Sequence, residues 1–108
     1  MYKVFISMPM KGKRIDEIRF LMSKAKEDIE KILGEPVELI DSIFDYEEGV
    51  SNPISFIGLA IQTMANADYL YCADGWSDAR GCLVERIVAE LYGIPVFEAN
   101  AEEEDANG

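Results

Sequence analysis

The sequence predicts a single α/β domain: a parallel sheet of four strands, in the order 2-1-3-4, with helices on both faces. Three observations predict it. Short runs rich in β-branched and aromatic residues alternate with longer runs of helical periodicity, in the pattern β-α-β-α-β-α-β. The chain has 108 residues, enough for one hydrophobic core. Hydrophobic residues make up 49% of it, which separates it from a disordered chain. We place the domain at residues 1–98 and read residues 99–108 as an acidic, frayed tail.

The first strand is YKVFIS, Tyr2 to Ser7, followed by the turn MPMKGKR. A helix follows from Ile15, with Ile15, Ile18, Met22, Ala25, Ile29 and Ile32 at helical spacing and Gly34 as its stop. PVELI, Pro36 to Ile40, is the second strand. The irregular DSIFDYEEGVS is a surface loop in which Phe44, Asp45 and Tyr46 could form a lid. Asn52 is placed to cap a second helix, Pro53 suits its first position, and it runs to about Asn66. DYLYCA, Asp68 to Ala73, is the third strand, where Tyr69 and Tyr71 are packing residues. Ser77 or Asp78 caps a third helix that reaches about Tyr92 and stops at Gly93, and IPVFE, Ile94 to Glu98, is the fourth strand.

Composition excludes several function classes. The formal net charge is −11; the run Glu102, Glu103, Glu104, Asp105 carries four of those charges, leaving −7 without it. Such a surface repels a nucleic acid polymer, although a local positive pocket for a small phosphorylated ligand remains compatible with it. With no histidine in the chain, the commonest general base and metal ligand are missing. Cys72 and Cys82 match no metal pattern and read as reduced, packed thiols. No metal or other cofactor is expected. Neither an apolar leader nor a spanning segment is visible, so the expected setting is cytoplasmic, without membrane contact.

In a sheet of order 2-1-3-4, ligands bind outside the carboxyl ends of the strands, near the switch in strand order. The loops after the first and third strands would then face each other across one crevice. They are also the two most unusual loops of the chain: MPMKGK and ADGWSDARG. In the helix after the second of these, Leu83, Val84, Ile87, Val88 and Leu91 share one broad face. Glu85 falls just past its edge, close to the helix start. A carboxylate there would be shielded by packing and kept ionised by the helix dipole, as a nucleophile must be. It could equally be a surface Glu bordering the core.

An Asp78 cap would expose the amides of Ala79, Arg80 and Gly81 to an anion, with the Arg80 guanidinium adding charge. Asp74 and Asp78 are candidate proton donors or orienting carboxylates. Trp76 could stack on a base or cover the sheet end. On the other side of the crevice, Ser7, Met8, Pro9, Met10 and Gly12 would lie against the ligand.

The stretches VFISMPMKGK, ANADYLYCADGW and ARGCLVERIVAELYGIPV together resemble the nucleoside 2-deoxyribosyltransferase-like superfamily, particularly its small, often phage-associated members. The resemblance spans nearly the whole chain. It implies a flavodoxin-like, Rossmann-like fold and chemistry at the N-glycosidic bond of a deoxynucleoside or its 5′-monophosphate. It also implies that Glu85 attacks the anomeric carbon, as in retaining glycosidases. Phosphate would be held around Gly12 and by Ala79 to Gly81, and the protein would be a homodimer or higher homo-oligomer. The chain departs from the family pattern at four positions. Phe5 stands where a Tyr is common, Met8 where a small residue is common, Ala60 where an Asp assists, and Ala79 where a Ser binds phosphate. Two readings follow: an N-glycosyl transferase or hydrolase, and a catalytically degenerate protein that binds a nucleotide or related metabolite.

Overall fold

The computed structural model describes residues 1–42 and 52–99. The lid residues Phe44, Asp45 and Tyr46, and all of the tail but Ala99, lie outside the described residues. Strands β1 (Tyr2–Ser7), β2 (Val37–Leu39), β3 (Tyr69–Cys72) and β4 (Val96–Glu98) alternate with helices α1 (Ile15–Leu33), α2 (Pro53–Met64) and α3 (Arg80–Tyr92). A 3-10 turn at Trp76–Asp78 precedes α3. The strands form one parallel sheet in the order β2-β1-β3-β4. This is the predicted α/β architecture.

Strand parity divides the core in two. Val4, Ile6, Val37 and Tyr71 face α1 and pack against its Ile18, Met22, Ala25 and Ile29. The Tyr71 hydroxyl donates to Asp28 Oδ2 at 2.8 Å and ties α1 to the sheet. Tyr69 packs edge-on against Tyr2, with ring centroids 5.1 Å apart. Phe5, Leu70 and Cys72 face the other way, against Ala60 and Met64 of α2 and Ala89 of α3. Helices α1 and α2 therefore cover the sheet with apolar or small side chains. On α1 the stripe is shorter than its spacing suggests, because Ile15 and Ile32 at its two ends are exposed.

Helix α2 starts as its sequence dictates. Asn52 Oδ1 accepts from Ser55 N at 2.8 Å, and Pro53 takes the first position. Helix α3 departs from expectation twice. Ser77 and Asp78 are not its caps: they belong to the 3-10 turn, and Ala79 stands at the cap position with no side-chain hydrogen bond. The orientation of α3 also differs. Its buried residues are Cys82, Glu85 and Ala89, while Leu83, Val84, Ile87 and Leu91 are exposed. Of the broad apolar row only Val88 packs against the core, while a narrow row of small side chains plus one carboxyl meets the sheet. No helix of the described residues is long and apolar enough to cross a membrane.

Candidate active site

The carboxyl ends of β1 and β3 lead into two loops that touch. Ala73 N donates to Ser7 O at 2.8 Å, extending the ladder beyond the strands. Gly75 turns the chain at φ +87°, and a Cβ placed there would lie 3.4 Å from Pro9 Cγ. Only glycine combines that dihedral with that proximity at low cost. Next to this contact opens a crevice of about 1240 Å3. Its wall is built from the first loop, the start of α2 and the start of α3. Pockets of roughly 300–1,000 Å3 accommodate ligands of drug size, so a nucleotide has ample room.

Glu85 lines this crevice although it is only 8% exposed. It projects from the buried row of α3 toward the end of β1, where the Ser7 hydroxyl donates to its Oε1 at 2.5 Å. Ser7 itself is 1% exposed. Among the described residues, Oε2 has no hydrogen-bond partner. Burial pushes the Glu85 carboxyl up to about 7, and the Ser7 hydrogen bond opposes that shift. The expectation of a carboxylate held ionised by the helix dipole is thus corrected. Glu85 is the sixth residue of α3, beyond the first turn where the dipole acts, and desolvation dominates.

Cys82, one turn before Glu85, also lines the crevice. Burial raises its thiol to about 11, opposed by the Ser7 hydroxyl and by the Lys13 ammonium. The Cys72 thiol is pushed up to about 12, again mainly by burial. Both cysteines are free and stay protonated at neutral pH, so neither is an activated nucleophile.

The rest of the wall combines apolar surface with three cations. Met8, Pro9, Met10 and Gly12 of the first loop line the crevice, as do Asp78, Ala79, Arg80 and Gly81 at the start of α3. Lys11 and Lys13 join Arg80. A positive rim therefore stands over an acidic protein, beside a helix N-terminus that no side chain caps.

Three of the predicted site residues are placed differently. Ser7 does not line the crevice, because its hydroxyl is committed to Glu85. Trp76 packs against the core on the α3 side of the sheet, with the Arg86 guanidinium 4.7 Å over its ring. It covers the sheet end and is not among the lining residues. Asp74 is exposed and outside the lining as well. The local reason is the 3-10 turn, which starts at Trp76 and carries only Asp78 round to the crevice.

Sequence reasoning did not find Lys11, Lys13, Cys82, Ser42 or the α2 residues Phe56 and Ile57, all of which line the crevice. For α2 a signal existed. PISFIGLAIQTM is apolar almost all round, more than a helix lying on one face of a sheet requires. Among the described residues no group of three or more His, Cys, Asp or Glu side chains is placed to hold a metal ion.

No family model and no curated protein matches the chain. Among solved structures, it is similar to a conserved protein from Enterococcus faecalis V583, with a TM-score of 0.61 and 19% identity. The match covers 91% of this chain and 62% of the Enterococcus chain, so the present chain spans under two thirds of that neighbour's length. At that identity the likeness is one of fold, and it places the chain among α/β proteins with a Rossmann-like parallel sheet.

Proposed function

We propose that the protein acts on the N-glycosidic bond of a 2′-deoxynucleoside or its 5′-monophosphate, with Glu85 as nucleophile. The observation that carries this reading is the buried Glu85 carboxyl, pinned through Oε1 by Ser7, on the wall of a crevice rimmed by Lys11, Lys13 and Arg80. Oε2 is the oxygen left to react. In its ionised form it attacks C1′ of the deoxyribose while the C1′–N bond breaks, and that bond's electron pair leaves with the base. The base takes a proton from solvent, and Asp78, a second carboxyl of the crevice lining, would help orient it. Water, or the nitrogen of a second base, then attacks C1′ and releases the carboxylate. The cationic rim and the uncapped α3 start would hold a 5′-phosphate. An anionic nucleotide substrate and two free cysteines fit a cytoplasmic setting. A homo-oligomer belongs to this reading too, and the outward row of α3 is the surface it would use.

The test is direct. Purified protein is incubated with the common 2′-deoxynucleosides and their 5′-monophosphates, and free base is measured. Release is expected, and Glu85→Gln should lower it by about three orders of magnitude or more. Because the ionised form attacks, kcat/KM should rise with pH through the region of 7.

A second reading is favoured by Phe5 and Ala60. Both line the crevice at positions where the resemblance implies a Tyr and an Asp, so two groups that would assist Glu85 are replaced by apolar ones. On that reading the protein binds a nucleotide without turning it over. A ligand present at about 100 times its dissociation constant then adds about 2.7 kcal/mol to the unfolding free energy, with no product formed.

A further inference from the structure

Among the described residues, one buried polar atom at the crevice has no hydrogen-bond partner. Ser42 follows β2, is 3% exposed, and lines the same crevice as Glu85. Its Oγ is buried and makes no hydrogen bond among the described residues. A hydroxyl in that state costs stability, so its presence in the unliganded fold needs a reason.

Its position supplies one. Ile40 N donates to Val4 O at 2.9 Å and so continues the β2 ladder, and Ile40 packs on the side of the sheet that carries α2 and α3. Ser42, two residues further on and beyond the strand, lines the crevice on that same side. The crevice wall on this side includes Phe5, Ile57 and Ala60, all apolar. The strand order then sets a sequence across the mouth. Ser42 comes after β2, the Ser7–Glu85 pair stands at the end of β1, and the uncapped start of α3 with Arg80 comes after β3. The Ser42 hydroxyl beside apolar side chains, the Glu85 carboxyl and the α3 start with Arg80 lie in that order.

We propose that Ser42 is a specificity-determining residue, whose hydroxyl hydrogen-bonds the edge of a planar heterocycle bound between β2 and α2. This rests on the nucleotide reading above and adds which end of the crevice takes the base. A heterocyclic base has apolar faces and a polar edge, which matches the apolar Phe5, Ile57 and Ala60 on the same wall as the Ser42 hydroxyl. A serine hydroxyl both donates and accepts, so Ser42 selects for a hydrogen-bonding edge against an isostere lacking one.

The test measures binding in the Glu85→Gln background, where turnover is blocked. Calorimetric titrations compare 2′-deoxynucleoside 5′-monophosphates with 2-deoxyribose 5-phosphate, which lacks the base. Adding Ser42→Ala should weaken the nucleotides about four- to tenfold, the size of one neutral hydrogen bond, and leave the sugar phosphate unchanged. The melting temperature without ligand should not fall, because the substitution removes an unsatisfied hydroxyl. Nucleotide binding that is unaffected by Ser42→Ala, or weakened equally with the sugar phosphate, overturns the assignment and leaves the functional reading standing. A lower melting temperature without ligand also overturns it, since Ser42 would then serve the fold. Failure of any nucleotide to bind to either the wild-type or the Glu85→Gln protein removes the functional reading itself, and Ser42 with it.

Discussion

Helices α1 and α3 lie on opposite faces of the same sheet and bury opposite kinds of surface. Helix α1 meets the sheet with Ile18, Met22, Ala25 and Ile29, a conventional apolar stripe. Helix α3 meets it with Cys82, Glu85 and Ala89 and turns Leu83, Val84, Ile87 and Leu91 outward. The hydrophobic effect explains the first arrangement completely. It does not explain the second, in which a carboxyl is desolvated while Ile87 and Leu91 stay largely exposed and Leu83 and Val84 partly so. The α1 face supplies stability. The α3 face spends some of it to hold Glu85 beside Ser7 at the crevice.

That contrast can be broken by substitution. Ile29 is 0% exposed, and Ile29→Ala should cost about 2–5 kcal/mol in urea unfolding. Leu91 is 76% exposed, and Leu91→Ala should change stability by less than about 0.5 kcal/mol in dilute solution. A large loss at Leu91 that grows with protein concentration would instead place the outward row in a contact between copies. Sedimentation of Leu91→Asp against the wild type would then show the larger species disappear.

A second experiment sharpens the same contrast through pH. Glu85 titrates at about 7 in the folded chain, against 4.5 for the free side chain. Between those values the folded state holds a proton that the unfolded state has released. The stabilisation linked to the protonated form is therefore complete below pH 4.5 and is lost as pH rises through 7. The difference amounts to roughly 3 kcal/mol. Glu85→Gln removes this titration, so the variant should gain on the wild type as pH rises and surpass it above 7. Ser7→Ala should move the wild-type decline to higher pH, since the Ser7 hydrogen bond favours the ionised form. Parallel stability curves for wild type and Glu85→Gln would mean that the carboxyl is solvated in the folded protein.

The sequence makes the sheet legible because strand runs and helix stripes are local patterns. The order 2-1-3-4 follows from crossover rules, and it brings the two unusual loops together as Gly75 and Pro9 confirm. Glu85 was legible as a candidate, but for an inexact reason. Periodicity assumes that the most apolar face of a helix is the buried one. On α3 the buried row is instead Cys82, Glu85 and Ala89, so Glu85 lies inside it and not at its edge. Ser42 was not legible, because an orphaned hydroxyl is a property of surroundings that come from β1, α2 and the crevice together. Lys11 and Lys13 looked like an ordinary basic turn until the fold placed them on the same rim as Arg80.

Trp76 offers the smallest test and the cleanest separation of cover from site. Its ring lies under the Arg86 guanidinium, which also pairs with Glu90 at 3.0 Å and with Glu98. Arg86 thus links the 3-10 turn, α3 and β4 at the sheet end, on the far side of β3 from β1. A partly exposed cation–π contact contributes about 0.5–1 kcal/mol, and phenylalanine retains part of it. Trp76→Phe should therefore lower the unfolding free energy by less than about 1 kcal/mol and leave the dissociation constant of a nucleotide within about twofold, a change below 0.5 kcal/mol by the usual conversion. A larger loss of affinity at unchanged stability would mean that the indole reaches the ligand. The base would then be stacked at the β3 end of the crevice, and the order of subsites from Ser42 to Arg80 would have to be reversed.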